Sequence, residues 1–393
     1  MMQQEISFWK NRNVFITGAT GLLGPWLIKE LLAQEANIYV LVRDLIPNSL
    51  FFLDNLDKKV TIILGDLDDL ALLQRILNEY NIETVFHLGA QAIVGIANRS
   101  PLSTFKSNIE GTWNLLEACR LSPWVNRIIV ASSDKAYGAQ DQLPYTEESP
   151  LQGRYPYDTS KSCADLIAQS YFHSYKVPVC VTRCGNFFGG GDLHFNRIVP
   201  GTIKTILDGK TPVIRSNGLL IRDYIYVKDV VDAYLTLAQR MDNSSIVGQC
   251  FNLSTDQPFN VIQIVQEILN IMNVKHLKPI IQNNATNEIP EQHLSSHKAR
   301  KLLGWAARYG VKNGLEETIA WYKNFFTKNH TVTLQEHDRF APGNPSKGDP
   351  SRRSPSWLAP QDERPYHAHG EEKPQVSSRT IVVSNELKNE TQP

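Results

Sequence analysis

The stretch VFITGATGLLG, residues 14–24, decides how this chain of 393 residues folds. An apolar run, typical of a buried strand, leads through a glycine-rich turn into a helical pattern. Glycine permits a tight turn and a close backbone approach, so that a pyrophosphate can lie on the N-terminus of the helix. The spacing of the glycines differs by one residue from the common G-x-G-x-x-G pattern. The dinucleotide contacts predicted in this stretch are Gly18, Thr20, Gly21, Leu22, Leu23 and Gly24.

The alternation of strand and helix continues beyond this turn. Short apolar runs without polar alternation indicate buried parallel strands, and amphipathic helical patterns lie between them. Such an alternation predicts an α/β fold, a Rossmann-type doubly wound parallel sheet with helices on both faces. The predicted strands lie at residues 13–19, 37–42, 60–66, 84–90, 127–133 and 177–184.

The pattern changes after residue 185. Residues 1–185 are predicted to form the dinucleotide-binding domain, with the catalytic residues included. Shorter elements in residues 186–328 predict a smaller C-terminal α/β lobe that binds the substrate and is interlocked with the first domain. Residues 329–393 are rich in proline, serine and charge, and they bury too little apolar surface to offset the entropy of ordering. We therefore expect a disordered tail.

The composition argues against several classes of protein. Lysine and arginine number 40, as do aspartate and glutamate, so the net charge is zero and a dedicated nucleic-acid-binding protein is not expected. The N-terminal segment is polar, unlike a signal peptide, and no run of about 18 apolar residues could span a membrane. The five cysteines lack metal-ligand spacing, so free thiols and no metal site are expected. These features predict a cytoplasmic protein.

A second group of residues indicates catalysis. Ser133, Asp134 and Lys135 follow a predicted strand, while Tyr157 and Lys161 are one helical turn apart on one helix face. A nearby ammonium favours the phenolate, so we expect Lys161 to lower the pKa of Tyr157. Such a tyrosine can take a proton from a sugar hydroxyl while a hydride leaves the same carbon, and Ser133 would orient that hydroxyl. The pattern is typical of an oxidoreductase-type site.

Other strand ends suggest how a dinucleotide is held. Arg43 ends the second predicted strand, where an arginine accommodates the 2′-phosphate of NADP and an acidic residue would bind the ribose of NAD. Asp44 follows directly, so a shift of one residue reverses this inference. Asp66 ends the third strand and is expected beside the adenine, although it could instead cap the next helix. The remaining predicted contacts of this group are Leu67, Leu88, Gly89 and Ala90.

The motifs together resemble a known superfamily. TGATGLLG, HLGAQA, SSDKAYG, YPYDTSK and RDYIYVKD are similar, in their order, to the extended short-chain dehydrogenase/reductases, and within these to the NAD(P)-dependent nucleotide-sugar epimerases and dehydratases. Many family dehydratases carry Thr-Asp-Glu where this chain has Ser133-Asp134-Lys135. The CDP-glucose 4,6-dehydratases, which carry Ser-Asp-Lys, are more similar. RDYIYVKD departs from that subfamily, which leaves the nucleotide open.

The resemblance implies a reaction and roles for the central residues. A nucleotide-sugar 4,6-dehydratase oxidises C4, removes the C5 proton and expels the C6 hydroxyl as water. Asp134 would be the general acid and Lys135 the base, provided that the pKa of the lysine is lowered. A 4-epimerase needs only the C4 step, so it remains the alternative activity. Asp134 and Lys135 could also be an ordinary charged pair at a strand end, without a catalytic role. A non-catalytic dinucleotide sensor is a third hypothesis.

The resemblance also implies partners and further contacts. The cofactor would be NAD(P)+, with Asn108 near it, and the substrate would be a nucleotide-diphosphate sugar. Arg197 and Arg222 are candidates for the diphosphate, since a guanidinium matches phosphate oxygens, although Arg222 could be a salt-bridged strand residue. Asn186 and Gln91 are expected near the sugar. A homodimer through a helical bundle is implied by the resemblance alone.

Overall fold

The computed structural model describes residues 7–285 and 288–339. Its strands are β1 Asn13–Thr17, β2 Asn37–Val42, β3 Thr61–Leu64, β4 Thr84–His87, β5 Arg127–Ala131, β6 Val179–Cys184, β7 Asn186–Phe188, β8 Val213–Ile214, β9 Ile221–Tyr226, β10 Cys250–Leu253, β11 Pro258–Asn260, β12 Ile280–Ile281 and β13 Glu291–Gln292. Its α-helices are α1 Leu23–Ala33, α2 Leu50–Leu53, α3 Leu70–Glu79, α4 Val94–Arg99, α5 Pro101–Phe105, α6 Gly111–Leu121, α7 Pro156–Tyr175, α8 Ile198–Leu207, α9 Val227–Arg240, α10 Val261–Ile271, α11 His297–Leu303 and α12 Gly310–Arg339. Two 3-10 turns, Leu56–Lys58 and Asp134–Tyr137, and one π turn, Lys106–Glu110, complete the set.

The main sheet confirms the predicted fold. Its seven strands lie in the order β10-β6-β5-β4-β1-β2-β3, and every neighbouring pair is parallel. Six of these strands reproduce the Rossmann order, with β10 added at one edge. The strand order reverses between β1 and β4, and ligands of such sheets bind at the carboxyl ends beside that point. The glycine-rich turn after β1 lies there.

The two faces of the sheet are covered by two apolar cores. Val14 and Ile16 of β1 pack into the core that includes α1 and α9, whereas Phe15 packs into the core that includes α3 and α6. This follows from the strand geometry, because successive side chains point to opposite faces. The sheet is therefore buried on both sides, which explains why its strands are apolar runs rather than alternating patterns.

The elements after residue 185 form a second sheet. Strands β7 and β13 each pair in parallel with β9, and β11 pairs with β9 antiparallel. However, β10 returns to the main sheet beside β6, so this region contributes to both sheets. The described residues up to 335 group into one compact unit. The predicted division into 1–185 and 186–328 stays a prediction.

The end of the chain differs in part from the expectation. Helix α12 continues to Arg339, into the segment from residue 329 that was expected to be disordered. The rest of the predicted tail, residues 340–393, lies outside the described residues.

Three further features concern the described part of the chain. None of its helices is both long enough and apolar enough to cross a membrane. No three His, Cys, Asp or Glu side chains in residues 7–285 and 288–339 are grouped so that they could hold a metal ion. The cysteines are free thiols, of which Cys163 is half-buried and the others are buried: Cys119, Cys180, Cys184 and Cys250.

Candidate active site

The five predicted catalytic residues lie together where β5 meets α7. Ser133 and the 3-10 turn that begins at Asp134 come directly after β5, and Tyr157 and Lys161 occupy the first turns of α7. Lys161 reaches the end of β5, where its Nζ donates a hydrogen bond to the Ala131 carbonyl at 2.7 Å. Ser133 Oγ donates to Asp134 Oδ1 at 3.0 Å and accepts from the Lys135 backbone N–H. Two elements far apart in sequence therefore form one cluster.

The pKa of Tyr157 differs from the expectation. Burial raises the pKa of its phenol to about 12, and its contact with Ser133 offsets only part of this. The expectation that Lys161 lowers this pKa below its usual value is wrong for the protein alone, because removing the phenol from water disfavours the phenolate more. Burial also lowers the pKa of Lys161 to about 8, so the lysine remains largely protonated at neutral pH.

Asp134 is suited to donate a proton. Its side chain is buried, and its Oδ2 has no hydrogen-bond partner among the described residues. Burial raises the pKa of this carboxyl, while the charges of Lys135 and Arg222 and the Ser133 hydrogen bond act in the opposite direction. A carboxyl whose pKa is raised and whose Oδ2 has an unfilled hydrogen-bonding position can act as a general acid.

Lys135 is suited to accept a proton. Burial lowers the pKa of its amine, and the positive charge of Arg222 lowers it further. The carboxylates of Asp134, Glu288 and Asp158 act against this. A lysine can act as a base only if its pKa is lowered, because the neutral amine is then more abundant, and the pKa of Lys135 is shifted in this direction. Asp134 is buried and Lys135 is half-buried, so the two are not an exposed surface pair.

The turn that carries these residues rests on a buried polar network, which the sequence analysis did not identify. Arg183 of β6 makes a bidentate ion pair with Asp165 of α7, at 2.8 and 2.9 Å. Its Nη1 also donates to the hydroxyl of Tyr137 at 2.8 Å, and that hydroxyl donates to Asn252 of β10 at 2.7 Å. The network joins β6, β10 and α7 to the 3-10 turn, so it fixes the position of Asp134 and Lys135.

Asp158 is a further buried carboxyl that sequence reasoning missed, although it lies inside the YPYDTSK motif. Burial raises its pKa to about 6, and the nearby Asp134 adds to this while Lys135 opposes it. Asp158 therefore interacts with Asp134 and Lys135 and belongs to the same cluster of charged side chains.

The turn after β1 has the features that a dinucleotide phosphate site requires. Gly18 has a φ of +77°, and a Cβ there would lie 2.8 Å from the Gly89 backbone nitrogen. A Cβ at Gly24 would lie 2.4 Å from the Gly18 oxygen, so a side chain is excluded at both positions. Helix α1 begins at Leu23 after Leu22 without any side-chain cap, which leaves its first N–H groups available for an anion. The residues fit a pyrophosphate, and Thr20 and Gly21 lie in the same turn.

The second and third strand ends meet as expected for an adenosine site. Arg43 Nε lies 2.7 Å from Asp44 Oδ2 and 4.0 Å from Asp66 Oδ2. The alternative role of Asp66 as a helix cap is wrong, because Asp69 caps α3 by accepting from the Leu72 N–H at 2.9 Å. Asp66 instead accepts from the Leu67 N–H at 2.7 Å.

The HLGAQA segment is fixed by two buried side chains. Thr17 Oγ1 accepts from the Gly89 N–H at 2.9 Å, which places Leu88 to Ala90 beside the glycine-rich turn. Asn108, in the π turn, accepts from the Gln91 N–H at 2.7 Å and donates to the Gln91 carbonyl and to Ser160 Oγ. The side chain of Gln91 accepts from the Ile93 N–H. Asn108 thus uses its amide to position the backbone here.

The predicted substrate residues lie on different elements. Asn186 is exposed at the start of β7. Arg197 precedes α8 and pairs with Asp192 at 2.9 Å, and its charge acts on Tyr157. Arg222 is buried on β9, where it pairs with Glu288 at 3.0 Å, as the salt-bridge alternative expected, and lies beside Asp134 and Lys135. The diphosphate roles stay predictions.

Comparisons with known proteins agree with this architecture. The family model for GDP-mannose 4,6 dehydratase matches residues 15–318. The CDP-glucose 4,6-dehydratase of Salmonella typhimurium is 29% identical over 332 residues, which are 81% of this chain and 92% of that enzyme. Among solved structures, the UDP-glucose 4-epimerase of Thermotoga maritima with UDP-glucose aligns with a TM-score of 0.74 at 25% identity, over 80% of this chain and 99% of its own. The dTDP-glucose 4,6-dehydratase of Bacillus anthracis in complex with NAD aligns with a TM-score of 0.70 at 23% identity, over 80% of this chain and 97% of its own.

These relatives carry the same fold, and the family match extends over most of the chain. The resemblance read from the motifs is confirmed. This protein belongs to the GDP-mannose 4,6 dehydratase family, within the extended short-chain dehydrogenase/reductases.

Proposed function

We propose that this protein is a nucleotide-sugar 4,6-dehydratase, which converts a nucleotide-diphosphate hexose, with CDP-glucose as the candidate substrate, to the 4-keto-6-deoxy sugar. Buried Asp134 and half-buried Lys135, which lie near Tyr157, carry this proposal. Burial raises the pKa of Asp134 and lowers that of Lys135, which are the directions that favour a proton donor and a proton acceptor side by side. Dehydration needs both, whereas epimerisation at C4 needs neither. The similarity to the CDP-glucose 4,6-dehydratase supports the same reaction class.

Tyr157, Lys161 and Ser133 act at C4 in this proposal. Tyr157 takes the proton of the C4 hydroxyl, and Ser133 accepts or donates the hydrogen bond that holds the oxygen. Tyr157 accepts this proton as the phenolate, which the ammonium of Lys161 stabilises. When bound at the glycine-rich turn, NAD(P)+ would supply the hydride acceptor for C4 and the hydride donor for C6.

Asp134 and Lys135 act on the next two carbons. A ketone at C4 acidifies the C5 proton, because the resulting carbanion is an enolate. Lys135 takes this proton as the neutral amine and becomes an ammonium. Asp134 gives its proton to the C6 oxygen, so that the C–O bond breaks and water leaves. As the hydride would return to C6, Lys135 gives a proton back to C5, which restores the neutral base. Tyr157 then releases its proton to solvent and Asp134 regains one, so that the acid and both bases are reset.

The second candidate is a nucleotide-sugar 4-epimerase, and one observation favours it. The alignment with the Thermotoga maritima UDP-glucose 4-epimerase has a TM-score of 0.74, slightly above that of the dehydratase structure at 0.70. This difference in TM-score compares only the folds, whereas the reaction that is catalysed depends on the side chains of the active site. A non-catalytic sensor would need none of the five clustered side chains.

A panel of substrates tests the proposal. Purified protein is incubated with CDP-, GDP-, UDP- and dTDP-hexoses, and the products are analysed by mass spectrometry. A dehydratase product is lighter than its substrate by one water molecule, and we expect this with at least one nucleotide. Product of unchanged mass with every sugar would instead support the epimerase.

For the cofactor we propose NAD(P)+, with Arg43 selecting NADP. The side chain is 56% exposed and could turn from Asp44 to a 2′-phosphate. Arg43→Asp is expected to weaken NADP binding about 10- to 150-fold, the range for hydrogen bonds to a charged group, and to leave NAD binding nearly unchanged. Calorimetric titration measures both. Arg75→Asp, at an arginine that is 54% exposed on α3, is the matched control. Equal losses for both cofactors would contradict the assignment.

We further propose a homodimer formed through α6 and α7. Trp113 of α6 and Leu166 of α7 are large apolar side chains that remain exposed, and such patches mark interaction surfaces. Sedimentation equilibrium is expected to give the mass of two chains, and a single-chain mass at micromolar concentration would contradict the proposal. The cytoplasmic location expected from the sequence stays a prediction.

A further inference from the structure

Gln292 contacts the proposed base, although no motif marks it. Its side chain is fully buried, and its Oε1 accepts a hydrogen bond from Lys135 Nζ at 2.5 Å. Its Nε2 is buried as well and makes no hydrogen bond of good geometry with the described residues, although the side chain lies beside the Tyr145 phenol. Buried polar atoms without partners are rare in folded proteins and call for a functional or structural explanation. Asp134 Oδ2, whose carboxylate acts on the charge of Lys135, is another buried atom without a hydrogen-bond partner in the described part of the chain.

The backbone around Gln292 is held on both sides. In β13, Gln292 pairs in parallel with Arg222 of β9. On the opposite side, the Tyr145 N–H donates to the His293 carbonyl, and the Ser295 N–H donates to the Tyr145 carbonyl, both at 2.9 Å. The amide that meets Lys135 therefore projects from a fixed strand, which is the kind of support that a precisely placed catalytic group requires.

The chemistry of the contact depends on the amide being neutral. A neutral amine has one lone pair, and an N–H that donates to a fixed oxygen restricts where that lone pair points. An amide oxygen can hold the amine in this way without a full negative charge. A carboxylate in the same place would also stabilise the ammonium, and so would reduce the fraction of neutral amine.

The charged groups around Lys135 have opposite effects on the stability of its ammonium form. Arg222 from β9 disfavours the ammonium, as burial does. Asp134 from the same turn, Asp158 from α7 and Glu288 from the segment before β13 favour it. One more carboxylate in direct contact with Lys135 would add to the groups that favour the ammonium.

We propose that Gln292 is a positioning residue for the base: its neutral amide fixes the Lys135 amine for the C5 proton and leaves the amine free to accept it. This rests on the proposed function, because it assigns Lys135 to the C5 step. The residue touches Lys135 and acts through it.

The decisive variant is Gln292→Glu, which keeps the size of the side chain and adds a charge. Exchange of the C5 proton with deuterium oxide is followed by NMR across a pH series. The ascending limb of the exchange rate is expected to move to higher pH by about 1–3 units, the effect of an opposite charge in contact. Gln292→Met removes the acceptor without adding charge. It is expected to slow exchange at every pH, with no upward movement of the limb.

A matched control exists elsewhere in the chain. Gln249 Oε1 accepts from Lys298 Nζ at 2.8 Å, so Gln249→Glu makes the same change in an equivalent pair outside the cluster, and its pH profile is expected to equal that of the wild type. An unmoved limb in Gln292→Glu, or an equal movement in Gln249→Glu, would overturn the inference. If Gln292→Glu fails to fold, wild-type exchange rates in Gln292→Met would overturn it. Absence of C5 exchange in the wild type would instead contradict the proposed function.

Discussion

Tyr157→Phe is expected to lower turnover about 10²–10⁴-fold, the usual effect of removing a general base. The phenol is the proposed acceptor of the C4 hydroxyl proton, and it is buried beside Ser133, with Lys161 one helical turn further along α7. Because phenylalanine keeps the ring, the packing of α7 and the dinucleotide site should be unchanged. Steady-state kinetics measures the loss of turnover, and circular dichroism shows whether the fold is unchanged.

The control for this substitution is Tyr226→Phe. Tyr226 is also buried, and its hydroxyl donates to Glu317 Oε2 at 2.7 Å, away from the catalytic cluster. Its turnover should remain close to that of the wild type. If Tyr157→Phe retained turnover within about threefold of the wild type, Tyr157 would not be the base.

Lys135→Ala and Asp134→Asn are expected to separate the two steps of dehydration. Lys135→Ala removes the base, so C5 exchange should fall about 10²–10⁴-fold. Asp134→Asn keeps that base but replaces the acid by an amide, which is a poor proton donor. This variant should still exchange the C5 proton while releasing water more slowly by a similar factor of about 10²–10⁴. Deuterium content and product mass, measured in the same reaction, report the two steps.

Lys298→Ala is the control, because that lysine also donates to a glutamine amide but lies outside the site. Both steps should proceed in it at the wild-type rate. Normal C5 exchange in Lys135→Ala would transfer the base role to another group. Normal water loss in Asp134→Asn would remove Asp134 from the acid role.

The parts of the site that could be predicted from the sequence are those whose signal is local. The turn from Gly18 to Gly24 joins one strand to the next helix, and Tyr157 and Lys161 share one helix face. In both cases a few consecutive residues determine the geometry, because the periods of strand and helix set the direction of each side chain.

The remaining parts depend on burial and on contacts between distant segments. Gln292 meets Lys135 across 157 positions of the chain, and nothing near either residue indicates the pairing. The pKa of Tyr157 was expected to fall because its neighbour is a lysine, yet it rises because burial has the larger effect. The role of Asp66 was open between an adenine contact and a helix cap, and the contact of Asp69 with the Leu72 N–H excludes the cap.

Turnover of the wild-type protein in deuterium oxide tests the central claim most directly. If Lys135 removes the C5 proton, solvent deuterium returns to that carbon while water is lost from C6. We therefore predict a product that is lighter by one water molecule, apart from its label, and carries deuterium at C5. Product of the substrate's mass, without deuterium at C5, would contradict the dehydratase account and identify the epimerase.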